Sequence, residues 1–283
     1  MPQLHTYANL WTLWDHPAAG ADEWSLARKV AAVRAAGFDG VMGDAGVGVG
    51  ELARAEGLTF LAFARLDVAD DFTAALTRCR DEGAAVVQVH LGWHDTAADT
   101  ALAMAQRLMA AAHEVGIDAV IETHRDTCTE TPEKTDALSA QFHTATGAAL
   151  PLLYDFSHHA VVKHLQPPFA PRLLTDPDAL RRARWFHLRP FNGHHAQIPV
   201  RSPNGTDAPE MADWWALIDA LFALLRTSEL PAVWVCPEIG PVRGGYGLAA
   251  FPPSWTQAVA LRDQLVARWA TQPATAPPTA PRP

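Results

Sequence analysis

The chain has 283 residues, 49% of them hydrophobic, with Lys+Arg 22 against Asp+Glu 31 and a formal net charge of −9. That balance gives no reason to expect a nucleic-acid surface, and no apolar run is long enough to cross a bilayer. Three widely separated cysteines, Cys79, Cys128 and Cys236, suit a reducing compartment better than a disulfide framework. With no basic-then-apolar leader at its start, the chain is expected to be soluble and cytoplasmic.

Residues 4–11 read as a first strand. Asp22 then precedes Leu26, Val30 and Val33, spaced for one helical face, and Gly37 stops the helix. Residues 38–42 form a second strand, followed by a glycine-rich turn at 43–50 and a short helix at 51–56. The turn lacks the Gly-Lys-Ser/Thr ending of a phosphate-binding loop. Strand three is 59–64, with a helix over 70–81. Strand four is 84–91, with a long alanine-rich helix over 96–115 closed by Gly116.

Strand five is 118–124. Thr131, Pro132 and Glu133 supply a cap, a first-turn proline and a first-turn acid for a helix that ends at Gly147. Strand six is 150–155, and 156–183 is irregular, interrupted by Pro167-Pro168. Strand seven is 184–188, and 190–209 is a long loop carrying His194, His195 and Gln197. A helix over 209–226, strand eight at 232–237 and a last helix at 254–269 follow.

Eight strands alternating with helices predict a single-domain (β/α)8 TIM barrel over residues 1–270. The remainder, 271–283, is rich in Pro, Ala and Thr and reads as a disordered tail. A dinucleotide-binding sheet is disfavoured, because no glycine-rich turn follows strand one.

Four successive strands end in polar residues: Glu122, Asp155, His187 and Glu238. In a barrel the C-terminal strand ends share one mouth. Three carboxylates facing one another repel unless a cation holds them. With one imidazole they offer an O3N donor set, suited to one divalent ion, with Mn2+ preferred and Mg2+, Co2+ or Zn2+ as alternatives. The bland reading, ordinary strand ends in salt bridges, suits one such residue better than four in succession.

Around them, His90, His124, Arg125, His158 and Arg189 are candidate substrate contacts, each with a plain alternative as a loop cap or salt-bridge partner. Trp11 and Trp14, after strand one, are candidates for an apolar wall against a sugar face. Trp214, Trp215, Trp234, Trp255 and Trp269 read as helix–barrel packing. His159, next to His158, is expected to face elsewhere, and His194-His195 to be exposed. Gln197 is a weak candidate donor to a hydroxyl, and Cys236 reads as buried and inert.

The pieces Glu122-Thr123-His124, Asp155-Phe156-Ser157-His158, His187 and Glu238 resemble the xylose-isomerase-like TIM-barrel superfamily of sugar isomerases and epimerases, inosose dehydratase-type lyases and the apurinic endonuclease IV group. The resemblance spans roughly residues 4–269. It implies Glu122, Asp155, His187 and Glu238 as metal ligands and His158 as a contact to substrate or a further metal. It also implies Glu122 and Glu238 as the groups that move a proton. Endonuclease IV relatives use further histidines, including one at the third strand end, where this chain has Arg65. A multi-metal phosphodiester site is therefore disfavoured. The ketose epimerases carry a second substrate-binding glutamate beyond the first and an arginine after the strand-seven histidine. The matching stretches here are 125–130 and Arg189.

The expected function is a divalent-metal-dependent isomerase or epimerase of a small sugar or polyhydroxy carbonyl compound, with proton transfer through a metal-stabilised enediolate. Glu122, Glu238 and His158 are its candidate catalytic residues. The alternative is a metal-dependent lyase or dehydratase on a keto-polyol; a phosphodiesterase or a non-catalytic barrel ranks below. The expected partner is a small polyhydroxy substrate, without nucleic acid or membrane, and a homo-oligomer is plausible.

Overall fold

The computed structural model describes residues 1–17 and 20–271. Its strands are β1 (Gln3–Asn9), β2 (Gly40–Asp44), β3 (Thr59–Leu66), β4 (Val86–Leu91), β5 (Asp118–Glu122), β6 (Leu152–Asp155), β7 (Trp185–His187) and β8 (Ala232–Cys236). They pair in parallel, each with the next, and β8 pairs with β1, so the sheet closes into a barrel. The helices are α1 (Leu26–Ala35), α2 (Val49–Ala55), α3 (Phe72–Asp81), α4 (Ala98–Val115) and α5 (Pro132–Thr146) in the first part. Three short helices, α6 (Phe156–Val162), α7 (Ala170–Leu173) and α8 (Pro177–Arg182), occupy the irregular stretch, before α9 (Met211–Leu225) and α10 (Ser254–Thr271). None of the described helices is long and apolar enough to cross a membrane.

Local chemistry sets the helix ends. Ser25 caps α1 by accepting from the Arg28 amide, and Asp71 and Thr131 cap α3 and α5 by accepting from the Ala74 and Lys134 amides. Gly116 and Gly147 end α4 and α5 with φ of 74° each, in the left-handed region that side chains avoid. Most strands are shorter than the sequence suggests. In particular β5 ends at Glu122, and Leu10–Leu13 forms a 3-10 turn rather than the end of β1. The expected disordered tail lies outside the described residues except for Thr271, which ends α10.

Side-chain alternation along the strands builds the barrel interior in layers. A plug of Tyr7, Met42, Leu61, Val86, Val120, Leu153, Trp185 and Cys236 takes one residue from each strand. Trp234 stacks on Trp185 at a ring separation of 5.2 Å. It therefore packs inside the barrel, correcting its assignment to the helix layer; its position on β8 is two before Cys236. Two residues beyond the plug, strands β5 to β8 present Glu122, Asp155, His187 and Glu238. The same step on β1 and β4 gives Asn9 and Gln88. The site is thus one pleat period above a sealed hydrophobic floor.

Candidate metal centre

One ligand atom from each of Glu122, Asp155, His187 and Glu238 lies within 4.8 Å of the other three. All four residues are buried, none more than 3% exposed. His187 is central, its Nδ1 being 2.9 Å from Glu122 Oε1 and 3.0 Å from Glu238 Oε2. Burial alone pushes this imidazole's pKa down, but Glu238 and Glu122 more than offset that and hold it at about 10. Burial likewise opposes ionisation of Glu122, and His187 with His90 overcomes it, so its carboxyl lies well below the usual range. Asp155 and Glu238 are shifted the same way against burial, Asp155 by His158 and Arg189, Glu238 by Arg189 and His187. Two ionised carboxylates, Glu122 and Glu238, meet one imidazole nitrogen and Asp155 completes the cluster; with the His187 proton displaced, these are the donors a hard divalent cation takes. The residues present fit such an ion.

The outer oxygens of these carboxylates are already held. Asn9 Nδ2 donates to Glu238 Oε1 at 2.8 Å, and the Ser157 amide donates to Asp155 Oδ1 at 2.9 Å. His90 Nε2 lies 2.6 Å from Glu122 Oε2, and Gln88 Nε2 donates to the same oxygen. Backbone is braced as well: Thr129 Oγ1 donates to the Glu122 carbonyl at 2.6 Å, and Thr123 Oγ1 accepts from the Asp155 amide at 2.9 Å. Partners of this kind orient ligands and tune their basicity.

Arg189 enters the cluster directly. Its Nη2 is 2.6 Å from Glu238 Oε2 and 3.3 Å from Asp155 Oδ2, while its carbonyl accepts from Trp214 Nε1 at 3.0 Å. Its side chain is 1% exposed, and its Nη1 has no partner. His158 Nε2 stands 3.4 Å from Asp155 Oδ2. His124 bridges the neighbouring rings, 3.9 Å from His90 and 4.0 Å from His158 between centroids. It contacts no ligand carboxylate by hydrogen bond; its Nδ1 is 2.6 Å from the Arg125 carbonyl. Arg125 is exposed and donates from Nε to Tyr246 Oη at 2.9 Å.

Tyr246 covers the cluster from the loop after β8. Arg189 lies 4.1 Å from the centre of its ring, and Trp11 meets it edge-on at 5.2 Å. Gly240 makes this approach feasible, because a Cβ there would stand 2.7 Å from Tyr246 Cβ and 2.9 Å from Trp11 Cη2.

Sequence reasoning singled out the four clustered residues and His90, His124, His158, Arg189 and Trp11 around them. It missed Asn9, Gln88 and Tyr246. Asn9 and Gln88 carried a signal, since each stands two residues beyond a plug position on its strand; Tyr246 sits in an aperiodic loop and carried none. Gln197 is a correction: its amide donates to the Gly240 carbonyl and accepts from the Gly240 amide, so both ends serve the backbone rather than a hydroxyl. His159 faces away, with Nε2 3.1 Å from the Thr129 carbonyl, and His194 and His195 are exposed. Cys236 is buried, and burial pushes its thiol well up.

No family model and no curated protein matches the chain in sequence. Solved structures do match. An L-ribulose 3-epimerase aligns with a TM-score of 0.62 at 16% identity, over 96% of this chain and 95% of that one. The D-allulose 3-epimerase of Methylomonas sp. gives 0.60 at 15% identity, over 95% and 99%. A xylose isomerase-like TIM barrel protein from Mycobacterium smegmatis, in complex with magnesium, gives 0.57 at 14% identity, over 95% and 98%. These likenesses show the fold: the chain shares a (β/α)8 barrel with them over nearly its whole length.

Proposed function

We propose that the protein is a divalent-metal-dependent isomerase or epimerase of a small polyhydroxy carbonyl compound. The observation that carries this reading is the convergence of Glu122, Asp155, His187 and Glu238 above a sealed barrel floor. A divalent ion bound there supplies Lewis acidity, polarising a substrate carbonyl and acidifying the adjacent C–H bond. Mn2+ is the preferred ion, and the magnesium in one structural relative fits the same class of hard cation.

The chain's own groups then handle the proton. Glu122 and Glu238 approach His187 Nδ1 from strands separated by β6 and β7, so they flank the space between them. One removes the proton beside the carbonyl, and the other returns it: to the opposite face in an epimerase, to the neighbouring carbon in an isomerase. His158 and Arg189, both buried beside Asp155, orient substrate oxygens. Trp11 and Tyr246 keep water from the reacting carbon. Two of the structural relatives are named as a D-allulose 3-epimerase and an L-ribulose 3-epimerase, which supports a sugar-like substrate. The remaining expectations, a cytoplasmic location and homo-oligomerisation, stand as proposals with this one.

The test is incubation of the manganese-loaded protein with candidate ketoses in heavy water. Solvent deuterium on the carbon beside the carbonyl, in a product of unchanged composition, is the expected result. Loss of one water from the product would move the assignment to a lyase. Manganese binding without turnover on any polyhydroxy carbonyl compound would leave a non-catalytic barrel.

A further inference from the structure

One pleat period above the metal ligands, the barrel rim changes character. Two residues beyond the ligand layer stand Arg65 on β3, His90 on β4, and His124 and Arg189 just past the ends of β5 and β7. Carboxylates fill the layer below; their outer oxygens are occupied by Asn9, Gln88, His90 and Ser157, and Arg189 reaches the inner oxygens of Glu238 and Asp155. What remains for a substrate above that layer is mostly donors: guanidinium N–H groups and imidazoles.

Two of the guanidinium groups have no acidic partner among the described residues. Arg65 Nη2 donates to the Asp126 carbonyl at 3.0 Å, its carbon lies 3.6 Å from the Trp93 ring centre, and its Nε is buried without a partner. Arg125, adjacent in sequence to Asp126, is held by the uncharged Tyr246 hydroxyl. The nearby acids are engaged elsewhere: Asp126 with His94 at 2.9 Å and Glu130 with Lys134 at 2.6 Å. Deeper in, the unpartnered Nη1 of the buried Arg189 is a further donor in want of an acceptor. A neutral polyol brings a hydroxyl donor with every acceptor and leaves such a rim poorly matched. A terminal oxyanion matches it, because planar guanidinium forks bind carboxylate or phosphate oxygens in pairs.

We propose that the substrate is a polyhydroxy carbonyl compound ending in an oxyanion, carboxylate or phosphate, held by Arg65 and Arg125 while its carbonyl end faces the metal ligands. This rests on the proposed metal-dependent reaction for the orientation of the substrate. Its test needs only binding.

Three probes share one skeleton with the carbonyl at carbon 2: D-fructose, D-fructuronate with a carboxylate at carbon 6, and D-fructose 6-phosphate. Each is titrated calorimetrically into the manganese-loaded full chain at about 0.15 M salt, where long-range attraction is screened. At least one anionic probe is expected to bind tenfold or more tightly than D-fructose, and which one distinguishes carboxylate from phosphate. Arg65→Gln and Arg125→Gln are each expected to narrow that gap by about tenfold, with thermal melting confirming that both variants fold. Equal affinity for the neutral probe, no binding of any probe, or an anion preference that survives both substitutions would overturn the proposal. A manganese titration without sugar separates the two readings. Tight manganese binding with no anion preference sinks only the substrate class. Failure to bind manganese sinks the proposed reaction, whatever the anions do.

Discussion

Asn9 Nδ2 donates to Glu238 Oε1 at 2.8 Å, joining the end of the first strand to the residue beyond the last, across the seam where the barrel closes. The Asn9 side-chain oxygen accepts in turn from the Trp11 amide at 3.2 Å. The amide is therefore fixed in orientation, and Glu238 keeps Oε2 for the centre. Replacing Asn9 with Leu removes the donor while keeping similar bulk. Metal affinity is expected to fall about 10- to 100-fold, the usual effect of losing a partner that orients a ligand. Manganese titration of the variant checks this; unchanged affinity would mean that Glu238 is not a ligand or does not need the bond.

Removal of metal should lower stability, because an ion that binds only the folded state stabilises it by mass action. At a free concentration of 100 times Kd the gain is about 2.7 kcal/mol, or roughly 5 °C or more in melting temperature for a chain of this size. Melting with manganese and with excess chelator gives the comparison, and elemental analysis should find one ion per chain. Two or more tightly held ions would reopen the phosphodiesterase reading.

Glu238→Gln separates metal binding from proton transfer. The carboxamide keeps the shape and a weak donor oxygen but loses the charge and basicity, so some metal should remain while turnover falls by roughly 10²–10⁴. His158→Asn should instead raise KM more than it lowers metal content, since His158 stands 3.4 Å from Asp155 at the edge of the ligand cluster. Full metal and near-normal turnover in Glu238→Gln would remove Glu238 from the mechanism.

Gly240→Ala tests the aromatic cover. The added methyl would stand 2.7 Å from Tyr246 Cβ and 2.9 Å from Trp11 Cη2, so one ring must shift. Displacing groups that position substrate by about 1 Å can cost up to about 10²-fold in rate. The expected result is a lower kcat/KM with metal content near normal, accompanied by a change in tryptophan fluorescence. Unaltered kinetics would show that the cover is not needed for the reaction.

His159 predicts part of the acid sensitivity of the fold. Burial lowers its pKa to about 4, and its Nε2 faces the Thr129 carbonyl, where the neutral ring donates. Unfolded, it titrates near the ordinary value of about 6.5. Between those values the unfolded state binds more protons, so the stability from neutral His159 is complete above about pH 6.5 and is lost as pH falls toward 4. From pH 7 to 4.5 the loss is roughly 2 to 3 kcal/mol. Urea denaturation at the two pH values should show the gap between wild type and His159→Gln narrowing by about that amount; a constant gap would remove His159 from the acid response.

The sequence by itself determined the barrel and the four polar strand ends that cluster at its mouth, and one physical rule explains both. Strand side chains alternate faces, so apolar runs ending in Glu122, Asp155, His187 and Glu238 deliver those groups above a buried floor once eight such runs alternate with helices. Caps such as Thr131 and stops such as Gly116 and Gly147 act within a few residues and were legible for the same reason. Tertiary structure alone decided contacts between distant segments. Asn9 reaches Glu238 across 229 positions, and Arg189 chose the ligand carboxylates rather than a surface acid. Gln197 went to the Gly240 backbone, and Tyr246 reached over the centre from a loop without periodicity. Strand period fixes which way a side chain points, but only closure of the barrel and packing of its loops fix what it meets there.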